Sequence, residues 1–173
     1  MPLYYSSDDI DGRLPSMIHE PEEYYDGTSD NEEVLKADGP AYAFIHNVGP
    51  QVIEKKGPLL FSTPVLLTNV LHSERTAEVT ILAEGMYIVS YMIVPATPSQ
   101  WALVSSIKGV LPGSHVGCNL GAIPVQACFL THFEAGESIK IINIEATKNI
   151  TLPAAVGGNN TTINASLMIC KIA

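Results

Sequence analysis

The stretch AEGMYIVSYMIVPA, residues 83–96, decides how the rest of the chain is read. After Glu84-Gly85 it runs through Tyr, Ile and Val to Pro95, the composition of a β-strand bounded by turn residues. Successive side chains of a strand point to opposite faces, so a strand wet on one side alternates apolar and polar residues. This one does not. Tyr87, Val89, Tyr91 and Ile93 occupy one face, and Met86, Ile88, Ser90 and Met92 occupy the other. The closing segment is similar, with Ala165, Leu167 and Ile169 on one side and Met168, Cys170 and Ile172 on the other. In a sandwich one face of each sheet lies on the core and the other meets water. Two such strands on one sheet would leave an apolar patch that soluble monomers rarely tolerate. Burial between identical subunits removes it, so the pattern predicts an oligomer.

Working outward, residues 40–173 are rich in β-formers. Strands are expected over 41–48, 64–71, 77–82, 86–94, 101–110, 125–133, 138–145 and 162–172. Gly, Pro and Asn punctuate them at short intervals, and no stretch of helical period and length interrupts them. The pattern predicts an all-β sandwich or barrel. A chain of 173 residues is long enough to bury a core of its own.

Several motifs along residues 41–173 together resemble a known family. GMYIVSY (85–91) resembles the G-x-Y-x-x-x-Y strand of tumour-necrosis-factor-like and complement-globular-head jelly rolls, which form tight trimers. FEAGESIKI (133–141) is similar to a later strand of that family, and NASLMICKIA (164–173) to its short apolar last strand. Within the superfamily, WALVSSIKGVLPGS (101–114) and KNITLPAAVGGNNTTINASLMICKIA (148–173) most resemble the C-terminal head of BclA-type exosporium glycoproteins of bacterial endospores. The resemblance implies a homotrimeric β-sandwich jelly-roll head at 40–173. It also implies that the strand-86–94 tyrosines lie at the trimer axis, with Tyr87, Val89, Tyr91 and Ile93 as the interface and Met86, Ile88 and Met92 facing the core. The reverse assignment of faces is the alternative. BclA-type proteins carry a collagen-like stalk, and this sequence has no Gly-X-Y tract.

In the stalk's place stands an acidic segment. Residues 1–39 hold 11 Asp/Glu against 2 Lys/Arg, a net of −9, while residues 40–173 balance at 7 and 7. Few branched apolar residues and scattered Pro and Gly leave it unable to fold alone. Four of the seven tyrosines sit in it as two pairs, Tyr4-Tyr5 and Tyr24-Tyr25. Buried aromatics dominate contact energies, so paired tyrosines suggest a docking segment; a passive leader is the other reading. Fully extended, about 39 residues span roughly 130 Å, against a radius of gyration near 14 Å for the head. These four tyrosines are expected to dock in a neighbouring subunit. Such a head-to-tail contact builds a fibre if it does not close.

Composition excludes several functions. The charge is acidic where a nucleic-acid reader needs a basic surface. No run of about 18 apolar residues exists for a membrane span, and the opening MPLYYSSDDIDG lacks the apolar run of a secretory signal. Synthesis in a cytoplasm without a cleaved signal is expected. Residues 40–173 contain no Asp, and their Glu are scattered, which argues against carboxylate pairs and calcium loops. His19, His46, His72, His115 and His132 show no metal-ligand spacing. No catalytic residue, cofactor or metal is expected, and the chain is not read as an enzyme.

Cys118, Cys128 and Cys170 read as buried or unreactive thiols, as a Cys118–Cys128 bridge across a hairpin, or as an intersubunit disulfide. Asn149, Asn159, Asn160 and Asn164 stand in N-x-S/T sequons, better explained by Asn/Thr-rich turns than by glycosylation. Trp101 could stack a sugar but reads first as a packing residue. The residues point to trimers that self-assemble, or join other proteins, through the segment 1–39, and the resemblance implies that they form a structural subunit of an endospore surface layer or appendage, among other spore-surface proteins. The alternative is a trimeric ligand-binding head for carbohydrate or a receptor, of the lectin or phage-tail kind.

Overall fold

The computed structural model describes residues 37–144 and 148–173; Tyr4, Tyr5, Tyr24 and Tyr25, expected to dock in a neighbouring subunit, lie outside them. In chain order the strands begin with β1 (Tyr42–Val48), β2 (Gln51–Ile53), β3 (Thr63–Thr68), β4 (Val70–His72) and β5 (Val79–Ile81). Next come β6 (Gly85–Ile93), β7 (Ser99–Ser105), β8 (Gly109–Val110) and β9 (Val116–Cys118). The last are β10 (Val125–Phe133), β11 (Ser138–Asn143), β12 (Ile150–Leu152) and β13 (Ile163–Lys171). The described residues contain no helix, as the sequence predicts.

One sheet has five strands in the order β10-β6-β13-β1-β3, and the other six in the order β4-β5-β11-β7-β8 with β9 also on β7. A small third sheet pairs β12 with β2. Every pairing is antiparallel. The expected strand 64–71 is two strands, because Asn69 takes a left-handed φ of 50° and carries the chain from the five-stranded to the six-stranded sheet. Its side-chain amide holds the corner by donating to the Pro40 carbonyl at 2.9 Å. β2, β9 and β12, three residues each, were too short to show a period.

The core lies between the two large sheets. β6 contributes Tyr87, Val89, Tyr91 and Ile93, all within 1% of full burial, and the opposing sheet answers with Trp101, Leu103, Ile139 and Ile141. This corrects the expected assignment of faces. Tyr87, Val89, Tyr91 and Ile93 pack inside a single protomer, so they are not available to a trimer interface. A tyrosine can face inward because its hydroxyl finds an acceptor at the core's edge. Tyr87 donates to the Ala83 carbonyl, and Tyr91 to the Ser114 carbonyl.

Both ends of the head's chain meet at one end of the sandwich, called proximal here. The Ala37 N–H donates to the Leu82 carbonyl at 3.0 Å, and the Met86 N–H to the Ala173 carbonyl at 2.8 Å. Gly85 is required there. Its φ is 153°, and a Cβ would stand 2.2 Å from the Ala173 oxygen. The nine residues of β6 carry the chain about 30 Å to the distal end. There the loop after β6 is tied down by the Val94 N–H to the Asn164 carbonyl and the Ala96 N–H to the Thr151 carbonyl, both at 2.8 Å.

Candidate assembly surfaces

The register of the five-stranded sheet gives its outer face row by row. One row runs Leu130, Ile88, Cys170, Tyr42, Thr68; the next runs Cys128, Ser90, Met168, Phe44, Leu66. The third is Gln126, Met92, Ser166, His46, Thr63. No Lys, Arg, Asp or Glu occurs in these rows. Leu130, Leu66 and Met168 are 59%, 51% and 44% exposed, which is high for aliphatic side chains flanked by more of the same. A contiguous apolar surface of this kind marks a contact with another molecule. Met86, Ile88 and Met92, expected to face the core, face outward with Ser90. Tyr42, Phe44 and Leu130 were missed, although AYAFIHNV and VQACFLTHF are apolar on both faces just as GMYIVSYMI is.

The cysteines do not pair. All three are free thiols. Cys118 sits on β9 opposite Ser99 of β7, whereas Cys128 sits on β10 opposite Ser90 of β6, so the two belong to different sheets and not to one hairpin. Cys128 and Cys170 are exposed on the outer face, where an intersubunit contact would meet them.

At the proximal end a buried carboxylate clasps two turns. Glu137, fully buried, accepts from Lys108 Nζ at 2.7 Å, from Ser105 Oγ and from the Glu134 N–H at 2.9 Å. Burial alone would raise its pKa; these donors outweigh burial and hold the carboxyl below its ordinary range. Lys108 Nζ also donates to the His132 carbonyl and lies 5.7 Å from the centre of the Phe133 ring. Every polar atom of the clasp is used within the protein, which suits a structural tie.

At the distal end Asn47, Val48, Gly49, Pro50, Gln51, Leu60, Ser62 and Arg75 line a cleft of about 310 Å³. Its walls are fixed from behind. Asn47 Nδ2 donates to Asn164 Oδ1 at 2.7 Å, and Asn164 Nδ2 donates to the Gly49 carbonyl at 2.6 Å and the Pro153 carbonyl at 2.8 Å. Gln51 closes one wall by bonding Leu60 twice, accepting from its N–H at 3.0 Å and donating to its carbonyl at 2.9 Å. Asn164 is therefore a buried structural amide and not an accessible sequon, whereas Asn149, Asn159 and Asn160 are exposed. Trp101 is fully buried with its indole N–H on Ser99 Oγ at 2.9 Å, which removes it as a sugar platform. Among the described residues no three His, Cys, Asp or Glu side chains converge as a metal site would require.

This architecture recurs in solved structures at low sequence identity. The globular domain of zebrafish complement 1qA protein matches with a TM-score of 0.56 and 13% identity, over 79% of this chain and 98% of its own. Murine APRIL at pH 8.5 matches with 0.55 and 12% identity, over 78% and 100%. The fold is a jelly roll of the tumour-necrosis-factor and complement-1q-head kind. Eiger TNF from S. frugiperda matches this jelly roll with 0.55 and 14% identity, over 78% and 92%. No family model and no curated protein sequence matches the chain. Among the described residues no helix is long and apolar enough to cross a membrane.

Proposed function

We propose that the chain is a structural subunit of a bacterial endospore surface layer or appendage, built from homotrimers that the segment 1–39 links to their neighbours. The observation that carries the assembly is the uncharged outer face of the five-stranded sheet. The tight trimers implied by the sequence resemblance would bury that face, and burial of its Leu, Ile, Met and aromatic side chains would supply the driving force. The spore surface as location draws its support from the resemblance of residues 101–114 and 148–173 to BclA-type heads. The proposed role is assembly and not catalysis.

Size-exclusion chromatography with light scattering tests the interface. The full-length wild-type protein is expected at three times the mass of one 18.6 kDa chain or at a multiple of that trimer. Phe44→Glu with Met168→Glu places carboxylates at the middle of the face and is expected to give monomers. A trimer that survives both substitutions would show that another surface holds it. Immunogold labelling of intact spores tests the location, with label on the outside expected and label confined to the mother-cell cytoplasm as the contrary result.

A second reading, a trimeric head that binds carbohydrate or a receptor, draws on the distal cleft. With Trp101 buried, a sugar would have to bind there without an indole beneath it.

A further inference from the structure

We infer that the distal cleft at Arg75 is the acceptor for the acidic, tyrosine-paired segment 1–36 of a subunit in the next trimer. This rests on the connector reading above and adds the site that receives the connector.

Position is the first ground. The segment leaves the head at Ala37, at the proximal end beside Leu82, whereas the cleft opens at the distal end beyond the far terminus of β6. Two heads stacked proximal to distal bring the origin of one segment next to the cleft of the other. About 36 extended residues reach some 120 Å, several times the length of β6, so the chain comfortably spans such a junction. Donor and acceptor surfaces at opposite ends make a heterologous contact, which repeats along an axis instead of closing.

Charge is the second ground. Residues 1–36 carry 10 Asp/Glu and 2 Lys/Arg. Among the described residues Lys108 and Lys140 are paired with Glu137 and Glu78, whereas Arg75 forms no ion pair. The Lys55 N–H, just after β2, donates to Asn149 Oδ1 at 3.2 Å, so Lys55, Lys56 and Lys148 lie near one another in the segments flanking the small sheet to which Gln51 belongs. On that side Arg75, Lys55, Lys56 and Lys148 outnumber the exposed Glu54 and Glu74 beside them, which leaves it net positive where an acidic guest would lie.

The shape and chemistry of the cleft are the third ground. Val48 and Leu60, 39% and 38% exposed, offer apolar wall, and a guanidinium beside them suits a tyrosine ring flanked by carboxylates. Arg75 is held there by a backbone that favours glycine, with a φ of 60°, its N–H donating to the Phe61 carbonyl at 2.7 Å. The Asn47–Asn164 pair keeps the walls formed before any guest arrives, which lowers the ordering cost of docking.

Full-length protein is compared with two full-length variants by sedimentation velocity. The cleft variant carries Val48→Asp and Arg75→Glu, both at exposed positions; the segment variant carries Tyr4→Ser, Tyr5→Ser, Tyr24→Ser and Tyr25→Ser. Wild type is expected to associate beyond the trimer, and each variant alone to stop there. Their equimolar mixture is expected to double the trimer mass and go no further, because one partner supplies segments and the other clefts. Circular dichroism checks that the cleft variant is folded; should it not be, Arg75→Glu alone replaces it. A cleft variant that assembles like wild type, while the segment variant does not, overturns this acceptor and leaves the connector reading standing. Failure of the mixture to associate overturns insertion in trans. A segment variant that assembles normally, or a wild type that stops at the trimer, overturns the connector reading itself.

Discussion

On the inner face of β6, Tyr87, Val89, Tyr91 and Ile93 are all but fully buried, whereas Met86, Ile88, Ser90 and Met92 behind them are part-exposed. Both faces are apolar and uncharged, but they differ in how they are made. The inner one is finished within the protomer. Its tyrosine hydroxyls have acceptors at Ala83 and Ser114, and its rings pack on their neighbours, Tyr87 lying 5.3 Å from Phe133 between centroids. The outer one mixes thioethers, thiols and small hydroxyls with Ile88, Phe44 and Tyr42, and Leu130, Leu66 and Met168 stand out of it. Hydrophobicity alone does not distinguish a core from an interface; satisfied polar tips and complete packing do.

The sharpest way to break that comparison is one charge placed on each side. Val89→Asp would bury a carboxylate with no partner and is expected to cost more than about 4 kcal/mol, leaving no folded protein. Ile88→Asp, one residue away, is expected to keep the β-sheet circular dichroism and lose the trimer by light scattering. Equal outcomes from the two would show that the faces are not functionally separate.

A weaker perturbation of the inner face is alkali. Burial, helped by the charge of Cys170, pushes the Tyr87 phenol up to about 12, and burial pushes Tyr91 higher still. Folded pKa values above the unfolded value of about 10 mean that this stability is intact below pH 10 and is lost as pH rises toward 12. For Tyr87 the loss is on the order of 2 kcal/mol. Tyrosinate absorbance and circular dichroism should change together in that window. Titration of every tyrosine near pH 10 in a protein that stays folded would contradict the buried setting.

Smallest is the clasp at the proximal end. Lys108→Met leaves Glu137 buried without its cation, and is expected to cost about 2 kcal/mol, less than a fully buried pair because Lys108 is a third exposed. Glu137 is held below its ordinary range, so in wild type its contribution is present at neutral pH and lost as acid protonates it. Chemical denaturation at neutral pH and in acid should show the variant's deficit shrinking as pH falls. A constant deficit would assign the effect to lost contact with Phe133 instead.

The lack of apolar-polar alternation in GMYIVSYMI showed from sequence that both faces of this strand must be covered, but not which cover came from the chain itself. The expectation placed the tyrosines at the subunit contact because the family resemblance implies a tyrosine there. The hydroxyl acceptors that let them turn inward come from Ala83 and from Ser114, on a loop 23 residues away. Such a partner has no local signature. The cleft was equally hidden. Its walls come from Gly49-Pro50, Leu60, Ser62 and the turn at Arg75, and they are braced by an Asn47–Asn164 bond across 117 residues of sequence.

By itself the sequence determined the all-β class, the division into a charged leading segment and a neutral head, and the two-sided character of the central strand. Composition and a period of two record which residues avoid water, and they do so one segment at a time. The tertiary structure alone decided which of the two apolar faces closes the core, that Cys118 and Cys128 lie in separate sheets, and where the distal cleft opens. Those are matters of register and of contacts between distant segments, and they exist only once the sheets are stacked.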